Sequence, residues 1–106
     1  MLYPTPITNQ QRALIEAAVA AAMKEFAPDV QRIKWEVTGD WAGDLSVFFK
    51  VLVSDEAGRR KSLQRLAPRL IDFVSNNLNI PELGLLPYFN FRTQSEQAET
   101  KEPAWA

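Results

Sequence analysis

Apolar and polar residues alternate most regularly in the segment Leu45–Val53, whose sequence is LSVFFKVLV. All the odd-numbered positions of this segment are apolar, whereas the even-numbered positions are mixed. Because a strand directs successive side chains to opposite faces, the pattern predicts a β-strand with one apolar face and one mixed face. The segment is rich in β-branched and aromatic residues, as strands usually are. We expect this strand to organise the fold, with helices packed against its apolar face.

Two further segments, residues 30–38 and 88–93, alternate in the same way and predict two more strands. The residues between the first and second strands, 39–44, include two glycines and two aspartates. This turn composition predicts an antiparallel hairpin. Each of the three strands is thus predicted to have one apolar face and one polar or mixed face.

Two other segments have apolar residues at helical spacing. In the first, Thr8 and Gln11 have the form of a capping box, and Pro28 ends the helix. The second helix follows a turn at residues 55–58 and contains Pro68. An interior proline removes one backbone hydrogen bond and clashes with the preceding turn, so we expect a kink or a restart there.

The predicted order is helix, strand, strand, helix, strand. Two helices with one apolar stripe each and three strands with one apolar face each predict an α+β fold, a two-layer sandwich with both helices on one face of a three-stranded sheet. A right-handed crossover makes the third strand parallel to the organising strand, and it lies either beside that strand or beside the first one. The predicted domain covers residues 1–93, and residues 94–106 are predicted to be a polar, mobile C-terminal tail.

The amino-acid composition excludes several kinds of catalytic and metal-binding site. The 106 residues include 46% hydrophobic residues, have a formal net charge of −1, and contain neither cysteine nor histidine. Disulfides, thiolate or Ser-His nucleophiles and zinc sites of sulfur or imidazole are therefore excluded, and no phosphate-binding glycine motif is present. We expect a non-enzymatic protein with no cofactor and no bound metal. The lack of cysteine and of a membrane-length apolar segment fits a cytoplasmic location without membrane contact.

The polar faces of the three predicted strands form the first candidate binding surface, which we call the outer face. It carries four basic side chains and one acidic side chain, together with exposed rings and a leucine. Three interpretations remain open: an ordinary solvated face, a contact with a protein partner or a second copy, and an RNA surface on which bases stack. The residues of this face are Arg32, Lys34, Glu36, Thr38, Phe48, Lys50, Leu52, Tyr88, Asn90 and Arg92.

The second candidate surface is a basic cluster at the start of the second helix, which we call the basic helix face. Its residues are Arg59, Arg60, Lys61, Arg65 and Arg69. The last three are four residues apart and therefore lie on one side of the helix. Bases in a first turn oppose the helix dipole, which favours an anionic partner such as RNA, although a solvated helix face is the simpler interpretation.

Four residues near the hairpin turn and the C-terminus complete the candidates. Asp40 and Asp44 are interpreted as turn residues, because no calcium-loop pattern surrounds them. Trp41, in the hairpin loop, and Trp105, near the C-terminus, fall outside the predicted core and are candidate anchors for a partner.

The order of elements over residues 8–93 resembles that of KH-like RNA-binding domains and the related bacterial ribosome-binding factor A. The resemblance implies single-stranded or ribosomal RNA as a partner. KH domains hold nucleotides with a GxxG loop between two helices; this sequence contains no GxxG, and Ala67-Pro68 is the place where a similar helix break would fall. Our leading hypothesis is a small interaction protein that binds a protein partner or itself through the outer face. The alternative is an RNA-binding module that uses the basic helix face.

Overall fold

The computed structural model describes residues 7–79 and 83–105. The predicted α+β class and the order of the first five elements are confirmed, and a short third helix follows them. The ends of the predicted domain and tail, and part of the loop before the third strand, lie outside the described residues (1–6, 106 and 80–82). The elements are α1 (Asn9–Glu25), β1 (Val30–Gly39), β2 (Leu45–Val53), α2 (Arg60–Leu78), β3 (Leu86–Thr93), α3 (Gln94–Thr100) and a 3₁₀ turn (Pro103–Trp105).

The three strands form one mixed sheet in the order β1-β2-β3, so that the organising strand is central. β1 pairs with β2 antiparallel, as the hairpin pattern predicts. β3 pairs with β2 in parallel, and thus takes the first of the two positions that the sequence left open. Because β2 has a neighbour on each side, its backbone N–H and C=O groups are used within the sheet.

The core lies between the apolar face of β2 and the two long helices. Val47, Phe49, Val51 and Val53 of β2 have no exposed surface. Phe49 also stacks on Phe89 of β3, with ring centroids 4.8 Å apart. The helices contribute their apolar stripes, namely Ile15, Ala18, Val19 and Ala22 of α1 and Leu66, Leu70, Val74 and Leu78 of α2. Both long helices therefore pack on one face of the sheet, as predicted.

Two sequence features of the long helices can be compared with the structure: the capping box of α1 and the proline inside α2. The predicted capping box of α1 is present: the Thr8 hydroxyl accepts from the Gln11 N–H at 3.1 Å, and the Gln11 side chain accepts from the Thr8 N–H at 2.8 Å. α2 runs through Pro68 as one helix, so of the two expected outcomes, a kink or a restart, the restart is wrong. Pro68 has no N–H to donate to the carbonyl of Gln64, and both residues are exposed.

The segment after β3 differs most from the expectation of a polar tail. Thr93 begins α3 with a second capping box, in which its hydroxyl accepts from the Glu96 N–H at 3.2 Å. The Ser95 N–H donates to Asp55, in the turn after β2, at 2.9 Å. Trp105 is only 7% exposed. The burial of Trp105 depends on contacts with residues distant in the sequence. The polar composition of the segment alone therefore did not predict this packing.

None of the helices in residues 7–79 and 83–105 has the length and apolar character needed to cross a membrane.

Gly58 is required by a close approach between the turn after β2 and the end of β3. A methyl group at Gly58 would overlap with Cγ2 of Thr93. We therefore expect Gly58→Ala to lower the free energy of unfolding by about 1–3 kcal/mol, as overpacking does. Urea denaturation followed by circular dichroism measures this change.

A double variant tests the steric explanation of the Gly58 effect. Thr93→Ser removes Cγ2 but keeps the hydroxyl that caps α3. Gly58→Ala combined with Thr93→Ser should therefore recover most of the stability lost in Gly58→Ala alone. Additive losses from the two substitutions would show that the overlap is not the cause.

Candidate functional site

The strand register brings the outer-face residues together on the side of the sheet opposite to the long helices. On that side Phe48 lies between Glu36 of β1 and Tyr88 of β3. Lys50 lies between Lys34 and Asn90 in the same way. The central strand thus contributes one ring and one cation to the outer face, each with a neighbour on both sides.

An apolar cluster occupies the end of the outer face near the hairpin loop, and we call it the apolar patch: Trp41, Phe48, Leu86 and Tyr88. The rings of Phe48 and Tyr88 stack at 5.0 Å with an angle of 16° between their planes. Trp41 packs against Tyr88 at 5.2 Å and an angle of 53°. Trp41 is nevertheless 83% exposed and Leu86 is 45% exposed. Leu86 was not among the predicted outer-face residues, because the strand predicted from the sequence begins at Tyr88.

Asp40 ties the hairpin loop to the sheet. Its Oδ1 accepts the backbone N–H groups of Ala42 at 2.9 Å and Asp44 at 3.0 Å. Its Oδ2 accepts the hydroxyl of Tyr88 at 2.9 Å and lies 3.4 Å from the hydroxyl of the fully buried Ser46. Asp40 is therefore a turn residue, as interpreted from the sequence, and also the link to a strand 48 residues further along the chain.

The hydrogen bonds at Asp40 change the pKa of two groups. Desolvation by itself raises the pKa of Asp40, but the hydrogen bonds from Tyr88, Asp44, Ala42 and Ser46 outweigh it and hold the pKa below its ordinary value of 3.8. The pKa of Tyr88 is raised above its ordinary value of 10.0, first by the hydrogen bond to Asp40 and then by desolvation. At neutral pH Asp40 is thus an ionised acceptor and Tyr88 a protonated donor.

The middle of the outer face is charged. Lys50 Nζ lies 3.2 Å from Glu36 Oε1, in an ion pair between neighbouring strands. Lys34 lies directly opposite Lys50 in the register, so that two cations face each other. A shallow cleft of about 210 Å³ is lined by Lys34, Trp35, Glu36 and Lys50. Arg32 and Lys34, both exposed, stand on the edge strand of the sheet.

Arg92 holds the C-terminal segment at the other end of the outer face. Its Nη1 donates to Gln97 and Thr100 at 3.2 Å each, and its Nη2 lies 3.0 Å from Glu102 Oε1. Its guanidinium carbon lies 4.6 Å from the ring centroid of Trp105. These contacts use the guanidinium that we expected to meet a partner. They also bury Trp105, which is therefore not the exposed anchor that the sequence suggested.

The basic helix face lies on the other side of the sheet, because α2 packs on the apolar side. All five of its side chains are exposed. Arg65 and Arg69 line a depression of about 240 Å³ together with Asp29, which adds a negative charge there. Arg69 also lies 5.6 Å from the ring centroid of Phe26. The two candidate surfaces consequently do not join into one basic surface.

In comparisons with known proteins, no family model, curated protein or solved structure matches the chain. The resemblance to KH-like domains stays a prediction from the order of elements. At Ala67-Pro68, where a helix break like theirs would fall, α2 is continuous. Within residues 7–79 and 83–105, no three acidic side chains come together as a candidate metal site.

The lowered pKa of Asp40 makes a pH-dependent prediction. Because its pKa is lower in the folded protein than in an unfolded chain, the ionised carboxylate stabilises the fold above pH 3.8, and this contribution is lost as the pH falls through the folded-state pKa. We expect the wild type to be more stable than Asp40→Asn at about pH 6, and the difference to shrink towards about pH 3. Urea denaturation at a series of pH values measures it.

Asp44→Asn is the matched control for this experiment. It makes the same chemical change in the same loop, but among the described residues the Asp44 side chain accepts no hydrogen bond. It therefore separates the loss of a negative charge in the loop from the loss of the hydrogen bonds that Asp40 accepts. A constant difference between the wild type and Asp40→Asn over the whole acid range would contradict the role given to Asp40.

The contacts of Arg92 predict local protection of the C-terminal segment. Trp105→Ala should increase amide hydrogen exchange in residues 94–105 without changing exchange in β2, because the segment packs outside the main core. Arg92→Lys keeps the charge but loses the planar fork that reaches three partners, and should give a smaller increase. Hydrogen exchange with mass spectrometry measures the increase in each variant. Unchanged exchange in residues 94–105 would show that the contact between Arg92 and Trp105 does not hold this segment.

Proposed function

We propose that this protein is a non-enzymatic binding module that contacts a protein partner through the apolar patch. The observation that supports the proposal most is that Trp41 is both exposed and fixed. Trp41 is 83% exposed, yet its ring packs on Tyr88. Its two neighbours in the chain are both held by hydrogen bonds, because Asp40 accepts the Tyr88 hydroxyl and the Ala42 N–H donates to Asp40. A large apolar side chain is thus held in water in one arrangement.

Such an arrangement is typical of an interface anchor. Tryptophan and tyrosine are enriched among the few interface residues that supply most of the binding free energy. A side chain that is already held in place loses little conformational entropy when a partner covers it. Leu86, two residues before Tyr88 on the same strand, is also exposed. The exposed apolar area of the patch is therefore larger than that of the Trp41 side chain alone.

Charged residues beside the patch match the usual anatomy of an interface. Glu36 lies directly opposite Phe48, and it pairs with Lys50 two residues further along β2. Interfaces commonly have an apolar centre and a polar rim that stays partly hydrated. The exposed carboxylate of this ion pair is available for hydrogen bonds with a partner.

Several observations favour protein over RNA as the partner. Surfaces that bind single-stranded nucleic acid present aromatic ring faces to solvent, whereas the rings of Phe48 and Tyr88 face each other. Two of the four cations of the outer face are engaged in ion pairs, Lys50 with Glu36 and Arg92 with Glu102. The basic helix face lies on the opposite side of the sheet, so its cations and the rings of the outer face are not combined in one surface for RNA.

Trp41→Ala tests the proposed interface. The immobilised wild type should retain a protein from an extract of the source cells after nuclease treatment, and Trp41→Ala should not. For the purified partner we expect an affinity loss of roughly 30-fold or more, as for a central anchor residue. The variant should fold normally, because Trp41 is exposed and Asp40 keeps the loop tied; circular dichroism checks this.

Leu14→Ala is the control, because Leu14 is 47% exposed on α1, away from the outer face. It should retain the partner as the wild type does. Equal retention by Trp41→Ala and the wild type would refute the proposal. Retention that is lost on nuclease treatment and on Lys61→Glu with Arg65→Glu would support the RNA alternative.

A further inference from the structure

The sheet has an exposed edge along its longest strand. β1 has ten residues, contains no proline and pairs only with β2 among the described residues. The opposite edge, along β3, carries Pro87, which lacks an N–H group. An edge strand presents unpaired N–H and C=O groups that can pair with another strand. The edge of β1 is therefore the more suitable of the two for adding a strand.

The charges on β1 are incompletely balanced within one copy of the chain. Lys34 lies directly opposite Lys50, and like charges at directly opposite positions are unfavourable. Glu36 compensates Lys50 at 3.2 Å. No carboxylate of the described residues lies within ion-pair distance of Lys34, which stands at the edge with its free side towards solvent.

We propose that β1 pairs with β1 of a second copy, antiparallel, about a two-fold axis at Trp35. In this register Lys34 lies opposite Glu36 of the second copy, and Glu36 lies opposite Lys34 of the second copy. On the other face of the sheet Ile33 lies opposite Val37, again twice. The second copy thus supplies the carboxylate that Lys34 lacks, and the two sheets become one sheet of six strands.

The charges also select this register among its neighbours. Side chains opposite each other must point to the same face, so the axis passes through a residue of β1. An axis at Lys34 or at Glu36 places that residue opposite its own copy, and an axis at Ile33 places Arg32 opposite Lys34. Of the five axes from Ile33 to Val37, only the axis at Trp35 both avoids like-charge pairs and forms two opposite-charge pairs within β1. Lys34 and Glu36 therefore disfavour pairing with an unrelated edge strand but favour pairing with β1 of a second copy in this register.

The proposed dimer uses the edge of the sheet and does not rest on the proposed function, and the two share only Glu36. Because the strands continue one sheet, the outer faces of both copies lie on the same side, and both apolar patches stay open. The interface consists of one strand from each copy, which is small compared with that of a permanent dimer. We expect a reversible dimer with a dissociation constant in the micromolar range.

Charge reversal and mixing test the register. Analytical ultracentrifugation over about 1–500 µM should show reversible dimers for the wild type. Lys34→Glu and Glu36→Lys should each weaken the dimer by about tenfold or more, because both ion pairs become repulsive. An equimolar mixture of the two variants should form heterodimers with about the wild-type affinity, since every charge then faces its opposite.

Three controls separate this result from other causes. Lys34→Glu replaces the repulsion with Lys50 by attraction, so urea denaturation should show a monomer at least as stable as the wild type. Lys61→Glu makes the same charge change on α2 and should leave the dimer intact. Trp41→Ala should also leave it intact, so that failure of the dimer and failure of the partner interface can be told apart. Monomers at all concentrations, or mixed variants that remain monomeric, would overturn the inference.

Discussion

Burial of one face of β2 is the constraint on which the rest of the structure depends. Four side chains of that face have no exposed surface, and burial of each apolar side chain of this size contributes about 1.5–3 kcal/mol. The strand is held on both sides by backbone pairing, so it cannot rotate to expose them. The period of two then directs the alternate residues, including Phe48 and Lys50, to the opposite side. The outer face therefore follows from the way the core is built.

The two ends of the outer face are organised by one charged residue each. Asp40 collects hydrogen bonds from its own loop and one from Tyr88, whereas Arg92 donates to three residues of the C-terminal segment. The consequences for the neighbouring tryptophans are opposite. Trp41 is held on the surface, and Trp105 is buried against the guanidinium of Arg92. The fixed geometry of Trp41 and the burial of Trp105 direct our functional proposal to the hairpin end of the face.

The distribution of charge separates the functional hypotheses in space. The basic helix face lies behind the sheet, near Asp29, and the apolar patch lies in front. The edge of β1, with Lys34 and Glu36, is a third surface. Glu36 belongs both to the edge of β1 and to the rim of the apolar patch, whereas Trp41, Lys34 and Lys61 each lie on one of the three surfaces and can be altered separately. The net charge of −1 gives no sign of this arrangement, because it adds together acidic and basic residues that lie on different surfaces.

The sequence by itself determined the identity of the main elements and the face on which each side chain lies. Periodicity and capping are properties of neighbouring residues, and so the strand Leu45–Val53 and the capping box of Thr8 followed from local pattern. Only the tertiary structure decided the place of β3 beside β2, the continuity of α2 through Pro68, and the contacts of Asp40 with Tyr88 and of Arg92 with Trp105. Strand order and side-chain contacts depend on where distant parts of the chain meet, and proline is tolerated where packing holds the helix on either side. No local pattern contains that information.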